Sequence, residues 1–256
     1  MIILIAESKT MEMTELEVSS GYYEAHRPVF EKEASEIMDS LREMSVADLA
    51  SAIKISIAMS TRLRQMVYEF PNKSLGLKAI EAFTGVVFKN LDYASLPSQD
   101  RDLVDSKVRI ISSLYGWLRP DDIIKPYRLE YTSPVAPDDA ALSAYWREMV
   151  TMQLIETLQK GGETEILDLL PADAAKCIDW KSVKRFAKVW KVDFKEQNGE
   201  SVRSPHAGRL KAFRGQLLRN IILNGLSNIR QVASFENDTM MPIPDYEYRD
   251  RLAFYV

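Results

Sequence analysis

The chain opens on Met1-Ile-Ile-Leu-Ile-Ala6, an unbroken apolar run that ends at Glu7. Side chains along a strand alternate between two faces, so a run that is apolar at every position must be covered on both. That is the situation of a central strand in a sheet with helices on either side, and it predicts an α/β fold with residues 2–6 near the middle of the sheet. The run is too short for a signal-peptide core or a membrane span and has no basic leader. Elsewhere no uncharged apolar run approaches the ~18 residues a spanning helix needs, so no membrane association and a cytoplasmic setting are expected.

The remaining elements alternate in the same sense. Phe30, Ala34, Ile37, Met38, Leu41 and Met44 recur at helical spacing with Glu and Lys between them, predicting an amphipathic helix over 30–44. Ser45 reads as the N-cap of a helix beginning at Val46, with Asp48 three residues on, close to a capping box. Met59, Leu63, Met66, Val67 and Phe70 mark a third helical stripe that stops at Pro71. Strands are predicted over 86–88, 108–111 and 165–170, and a long helix over 139–160 that Gly161-Gly162 ends. Asn198-Gly199 predicts a hairpin between strands within 185–194 and 200–203, followed by a helix over about 208–224 and a closing strand over 252–256. Repeats and Gly-, Ser- or Pro-rich linkers are missing. The expectation is one mixed α/β (α+β) domain over residues 1–256, with a central sheet and a helical subregion near 30–70.

Charge and chemistry are unevenly placed. Residues 1–60 hold five Lys or Arg against eleven Asp or Glu, whereas residues 176–230 hold thirteen against four. From Ser201 to Phe235 there is no acid at all, but Arg203, Arg209, Lys211, Arg214, Arg219 and Arg230 all occur. Such a stretch is either an anion or nucleic-acid surface or a solvated face that pairs with the acidic N-terminal region. The single cysteine, Cys177, excludes an internal disulfide and fits a reducing compartment. With only His26 and His206 there is no His/Cys cluster for zinc or iron–sulfur, so no metal site and no cofactor are expected, although carboxylate-only sites stay open.

One segment is distinctive. Residues 110–130 read I-I-S-S-L-Y-G-W-L-R-P-D-D-I-I-K-P-Y-R-L-E. This resembles the YaaA family of bacterial peroxide-stress proteins, which carry L-Y-G-x-L-R-P followed by P-Y-R-L-E. The likeness extends to Lys9-Thr10 after the first strand, to Ala82-Phe83-Thr84-Gly85, to Trp146, and to Arg214-Gly215 with Arg219 in a late basic helix. It implies a cytoplasmic protein that limits iron-driven damage during peroxide stress. It also implies a mixed α/β fold with a positively charged cleft and a helix-hairpin-helix-like element that binds DNA without sequence preference. Departures mark a divergent member. The family's Ser-Pro stands as Ala6-Glu7, and A-F-x-G-D-V-Y loses its acid and its phenol at Val86 and Phe88. N-L-A-S-x-E-Y becomes residues 168–174, and the usual Gly-Tyr near the C-terminus is replaced around Asp238–Met240.

Lys9 and Thr10 sit where α/β sheets gather ligand groups, just past a strand's carboxyl end, and can offer a charge and a hydroxyl to a phosphate or form a plain surface turn. Arg119 and Tyr127-Arg128 are held by Pro120 and Pro126, and a guanidinium there presents a bidentate fork for an anion. Strand alternation would put Arg128 and Glu130 on one face, with Glu130 as a candidate general base, or else as an Arg–Glu pair that pins the loop. On the late helix, Leu210, Phe213, Leu217 and Ile221 make an apolar stripe, and Arg214 lies only about 40° from its centre. A charge so placed needs a partner or a water-filled cleft. Gly215 beside it permits close backbone approach. Arg209, Lys211 and Arg219 are expected to face solvent or phosphate. In the helix-hairpin-helix reading, Ser56 to Ser60 form the hairpin, Ser60 caps the second helix, and Lys54, Arg62 and Arg64 supply charge; plain core helices are the alternative. Asp168 and Asp173 flank a strand end, as acid/base or metal groups or, for Asp173, as a helix cap. Cys177 beside Lys176 is a weak candidate peroxide sensor.

Two functions are expected: non-specific DNA binding through a basic cleft, which ranks first only because the family resemblance implies it, or an enzyme holding a phosphorylated or other anionic small molecule on Lys9, Arg119, Arg128 and Arg214. The acidic composition, a net charge of −4, keeps the second close to the first.

Overall fold

A computed structural model describes residues 1–14, 16–72, 74–199, 201–244 and 250–256. The strands are β1 (Ile2–Ala6), β2 (Leu16–Glu17), β3 (Leu75–Lys78), β4 (Val108–Ser112), β5 (Gly116–Leu118), β6 (Ile123–Ile124), β7 (Glu165–Asp168), β8 (Lys188–Asn198), β9 (Ser201–Arg203), β10 (Met241–Pro242) and β11 (Arg251–Tyr255). The first helices are α1 (Ser20–Ala25), α2 (Glu31–Arg42), α3 (Val46–Ile53), α4 (Ile57–Glu69), α5 (Ala79–Ala82) and α6 (Val86–Leu91). They are followed by α7 (Ser98–Lys107), α8 (Leu142–Tyr145), α9 (Arg147–Gly161), α10 (Trp180–Val183), α11 (Ala207–Leu223) and α12 (Ile229–Ala233).

The fold is mixed α/β. The main sheet runs β10-β11-β8-β7-β1-β4-β5, with β9 hairpinned onto β8. Its five middle strands, β11, β8, β7, β1 and β4, are parallel, and antiparallel β10 and β5 close the two edges. As its uninterrupted apolar run requires, β1 lies inside, and Ile2 to Ile5 are each no more than 3% exposed. Fully burying each such side chain is worth about 1.5–3 kcal/mol. The neighbours of β1 are β4 on one side and β7 on the other, so the chain leaves in one direction and returns in the other. In parallel sheets the crevice at such a switch point, beyond the carboxyl ends, is where ligands bind. Three short strands, β2-β3-β6, make a separate antiparallel sheet that the sequence reading did not anticipate.

Several local signals act as expected. Ser45 Oγ accepts from the Asp48 N–H and caps α3. Gly162 ends α9 at φ +63°, and Gly199 turns the β8–β9 hairpin at φ +61°; residue 200 of the expected second strand lies outside the described residues. Others are corrected. Residues 86–88 are not a strand but the first turn of α6, which buries Phe88 and Leu91 and packs along α11. The expected helix over 139–160 starts at Leu142 and breaks at Trp146, whose fully buried indole donates to the Ser113 carbonyl at 2.8 Å. A Cβ on Gly116 would stand 2.5 Å from that ring, so only glycine fits there. Tyr127 to Glu130 form no strand. The cap of α4 is Ser56, whose Oγ accepts from the Met59 N–H, and not Ser60, which is buried and donates to the Val46 carbonyl. Among the described residues no helix is long and apolar enough to cross a membrane.

Candidate functional site

At the carboxyl ends of β1 and β7 lies a cavity of about 280 Å³. Its floor and one wall come from β1 and the residues that follow it, Ile5, Ala6, Glu7, Ser8, Lys9 and Thr10. The turn after β7 brings Leu169, Pro171 and Asp173, the start of α6 brings Gly85 to Phe88, and the loop after Tyr127 brings Glu130 and Tyr131. Helix α11 closes the cavity with Lys211 and Arg214. Close approach makes this possible. A Cβ on Gly215 would stand 2.7 Å from the Asn90 Cβ and would collide with the Val87 carbonyl, so α11 lies directly on α6. A Cβ on Gly85 would likewise collide with Ser8.

Arg214 is half-buried on this wall and makes no hydrogen bond or ion pair among the described residues. Burial lowers its pKa, against the opposing pull of Asp168 and Asp173. Lys211, on the same wall, is exposed and likewise has no ion pair among the described residues. Lys9 is paired with Glu130, whose other oxygen lies 3.3 Å from Arg128. Arg128 also donates to the Lys9 carbonyl at 3.3 Å, so Lys9, Arg128 and Glu130 tie two loops together at the cavity rim. Thr10 is linked to Ser8, its N–H donating to the Ser8 hydroxyl at 3.1 Å.

Glu7 was noted in the sequence only as a departure from the family pattern. Its backbone extends the β1–β4 ladder, donating to the Ile111 carbonyl at 2.9 Å, and its carboxylate turns into the cavity. Oε2 accepts from the Ser113 N–H at 2.8 Å and from the Tyr127 hydroxyl. Burial pushes the Glu7 carboxyl up to about 7, while these hydrogen bonds pull the other way. Tyr127 is therefore an internal support rather than an anion contact; its hydroxyl also meets Ser112 Oγ at 2.7 Å. The available signal was position, since Glu7 stands beyond the same strand end that singled out Lys9.

The other candidates lie elsewhere. Arg119 Nε donates to Asp122 at 2.8 Å, in a separate surface depression with Glu24 and Arg27. Arg209 pairs with Glu196 at 2.6 Å and covers the Phe213 ring. Arg219 does not face solvent freely; it donates to the Leu91 and Asp92 carbonyls and clamps the end of α6. Lys54, Ser56, Ser60, Arg62 and Arg64 are outside the cavity lining. Lys54 and Arg62 are exposed, whereas Arg64 donates to the Met44 carbonyl and to Tyr68. Asp168 is buried and accepts from the Leu170 N–H, and Asp173 caps the turn at Ala174. Cys177 is fully buried with its pKa pushed up, which keeps it a thiol.

The family model described as peroxide stress protein YaaA matches residues 1–246. Among similar proteins, one named UPF0246 protein from Parabacteroides distasonis is 30% identical over 92% of this chain and 91% of its own length. Proteins of the same name from Francisella tularensis subsp. novicida and Francisella philomiragia are each 27% identical over 99% of this chain, covering 99% and 96% of their own lengths.

Proposed function

The chain belongs to the YaaA family of peroxide stress proteins, and from that premise we propose that it acts by holding a small phosphate-bearing or otherwise anionic molecule in the cavity beyond β1 and β7. The observation that carries this reading is Arg214. A guanidinium that is half-buried, faces a cavity and lacks a hydrogen-bonding partner among the described residues is a costly arrangement unless a ligand completes it. Lys211 adds a second charge on the same wall, and the polar rim of Lys9, Thr10 and Glu130 orients what enters. In this reading Glu130 positions Lys9 and Arg128 rather than acting as a base. The test is ligand-observed NMR with a panel of phosphorylated and carboxylated metabolites, using wild type and Arg214→Gln. Saturable binding that weakens about tenfold in the variant supports the proposal. No binding, or binding that ignores Arg214, refutes it.

DNA is the second reading, and the observation that favours it lies at α3–α4. These helices are joined by three residues, with Lys54 exposed at φ +59°, Ser56 capping α4 and Arg62 exposed on it. Backbone N–H groups at such a helix start can hold a phosphate without reading sequence. Shielding DNA would limit iron-driven damage, the outcome that the family resemblance implies. Binding to duplex, bulged and single-stranded DNA across a salt series decides between the two. A steep salt slope lowered by Lys54→Gln and Arg62→Gln but not by Arg214→Gln favours this second surface over the cavity.

A further inference from the structure

The cavity has a second polar end whose chemistry differs from that of Arg214. Glu7 is held from behind. Its Oε2 takes both the Ser113 N–H and the Tyr127 O–H. The buried Ser113 hydroxyl, which has no other partner among the described residues, also lies close enough to lower its pKa, whereas Oε1 accepts no hydrogen bond of good geometry among the described residues. The supporting hydroxyls run in one direction. Ser112 Oγ already accepts from the N–H groups of Leu114 and Tyr115. Its own proton is thus directed to Tyr127, which leaves the Tyr127 proton for Glu7. The carboxylate is thereby fixed with one oxygen satisfied and the other unmatched by the apolar walls of Ile5, Phe88 and Leu169. Such an acceptor fits an O–H or N–H donor and repels an anion.

We propose that the ligand of this cavity is a phosphate compound that also carries a hydroxyl or amino donor, its phosphate against Arg214 and Lys211 and its donor on Glu7 Oε1. The proposal rests on the anion-site reading above and adds the identity of the ligand's other end. A cavity of about 280 Å³ accommodates a molecule of pentose-phosphate size.

The same geometry makes recognition depend on pH. Burial holds the Glu7 carboxyl up to about 7, so the acceptor ionises within the neutral range. Around it stand Ser112 at the end of β4 and Ser113 just after it, Tyr127 and Tyr131 from the loop after β6, Cys177 and Asp173 from the turn after β7, Lys9 and Glu130 at the rim, and Lys211 and Arg214 on α11. Tyr127, Tyr131 and Cys177 are pushed up by burial and keep their protons across this range. Ionised Glu7 accepts from a donor more strongly than the neutral acid does, so the donor's contribution rises with pH.

Calorimetric titration of the full chain with inorganic phosphate and with ribose 5-phosphate tests this, in wild type, Glu7→Gln and Arg214→Gln, from about pH 5.5 to about pH 8.5. The quantity to read is the ratio of the two affinities in wild type against the same ratio in Glu7→Gln, because each ligand's own second ionisation is common to the two proteins and cancels between them. Above pH 7 the wild-type ratio of ribose 5-phosphate to phosphate affinity is expected to exceed that of Glu7→Gln about tenfold, the excess falling as Glu7 takes up its proton. In Glu7→Gln the ratio is expected to follow the ligands' own ionisation alone, and in Arg214→Gln both ligands weaken. A wild-type ratio that matches Glu7→Gln at every pH overturns the proposal while leaving the anion site standing. Failure of both ligands to bind, or indifference of both to Arg214→Gln, overturns the anion-site reading as well.

Discussion

Glu7→Gln is expected to stabilise the protein, and only on the alkaline side. The carboxyl is held up to about 7 in the folded chain, against 4.5 for an unperturbed side chain. The folded state therefore binds this proton more tightly than the unfolded state. The stability so contributed is complete below about pH 4.5 and is lost as pH rises through about 7. Above that point the folded chain carries a buried carboxylate that costs about 3 kcal/mol relative to the neutral acid. Glutamine keeps the shape and stays neutral, and its amide oxygen can accept from the Ser113 N–H and the Tyr127 O–H in place of Oε2. Urea denaturation at about pH 5 and about pH 8.5 should show the variant ahead by roughly 2–3 kcal/mol at the higher pH, with the gap closing at the lower one and the denaturant slope unchanged. A difference that is independent of pH, or of opposite sign, would refute the claim that burial of this carboxyl dominates its surroundings. The expected outcome has a functional meaning too. A buried carboxylate kept at such a cost is consistent with the ligand-binding role proposed for Glu7.

Three further outcomes are expected. Gly215→Ala should lose about 1–2 kcal/mol in urea denaturation despite its better helix propensity, since the added Cβ meets the Val87 carbonyl and lies 2.7 Å from the Asn90 Cβ; a more stable variant would contradict the close α6–α11 approach. Removing the α4 cap by Ser56→Ala should cost about 1 kcal/mol, and a variant as stable as wild type would show that the cap contributes nothing. Cys177, fully buried and with its pKa raised, should react with an aromatic disulfide reagent only as the chain unfolds, so rapid labelling in native buffer would show that the thiol opens to solvent.

Where a local signal was sufficient, the sequence was readable. The all-apolar strand β1, the Ser45 cap and the Asn198-Gly199 turn each depend on a few adjacent residues, and the fold uses them as such. It was misread where distant packing decides. Val86-Val87-Phe88 is apolar and partly β-branched, which suits a strand, but Leu91 continues the pattern at helical spacing, and the stretch is helical because it lies along α11. The apolar periodicity of 139–160 continues through Trp146, where α8 and α9 meet and the indole, packed against Gly116, donates to the Ser113 carbonyl, a contact no periodicity announces. Strands β3 and β6 are short and far apart in the chain, so neither announces its pairing with the other.

The site divides along the same physical line. Lys9, Thr10 and Arg214 were readable because strand ends and helix periodicity fix where a side chain stands. Whether a cation is free depends instead on what it meets in space. Arg119 has its partner three residues away at Asp122, so its neutralisation was visible in principle; the Glu196 partner of Arg209 and the carbonyls that hold Arg219 come from other elements. Glu7 is the instructive case. It and Val86 both depart from the family pattern, the first adding an acid and the second removing one, and both line the same cavity. Taken singly, each change looks like loss of a site. In this chain the carboxylate at the end of β1 is held by Tyr127 and Ser113, and burial raises its pKa. If the cavity holds the ligand proposed above, Glu7→Gln is expected to change the choice between ligands that differ at their donor end, whereas Arg214→Gln is expected to weaken all of them alike.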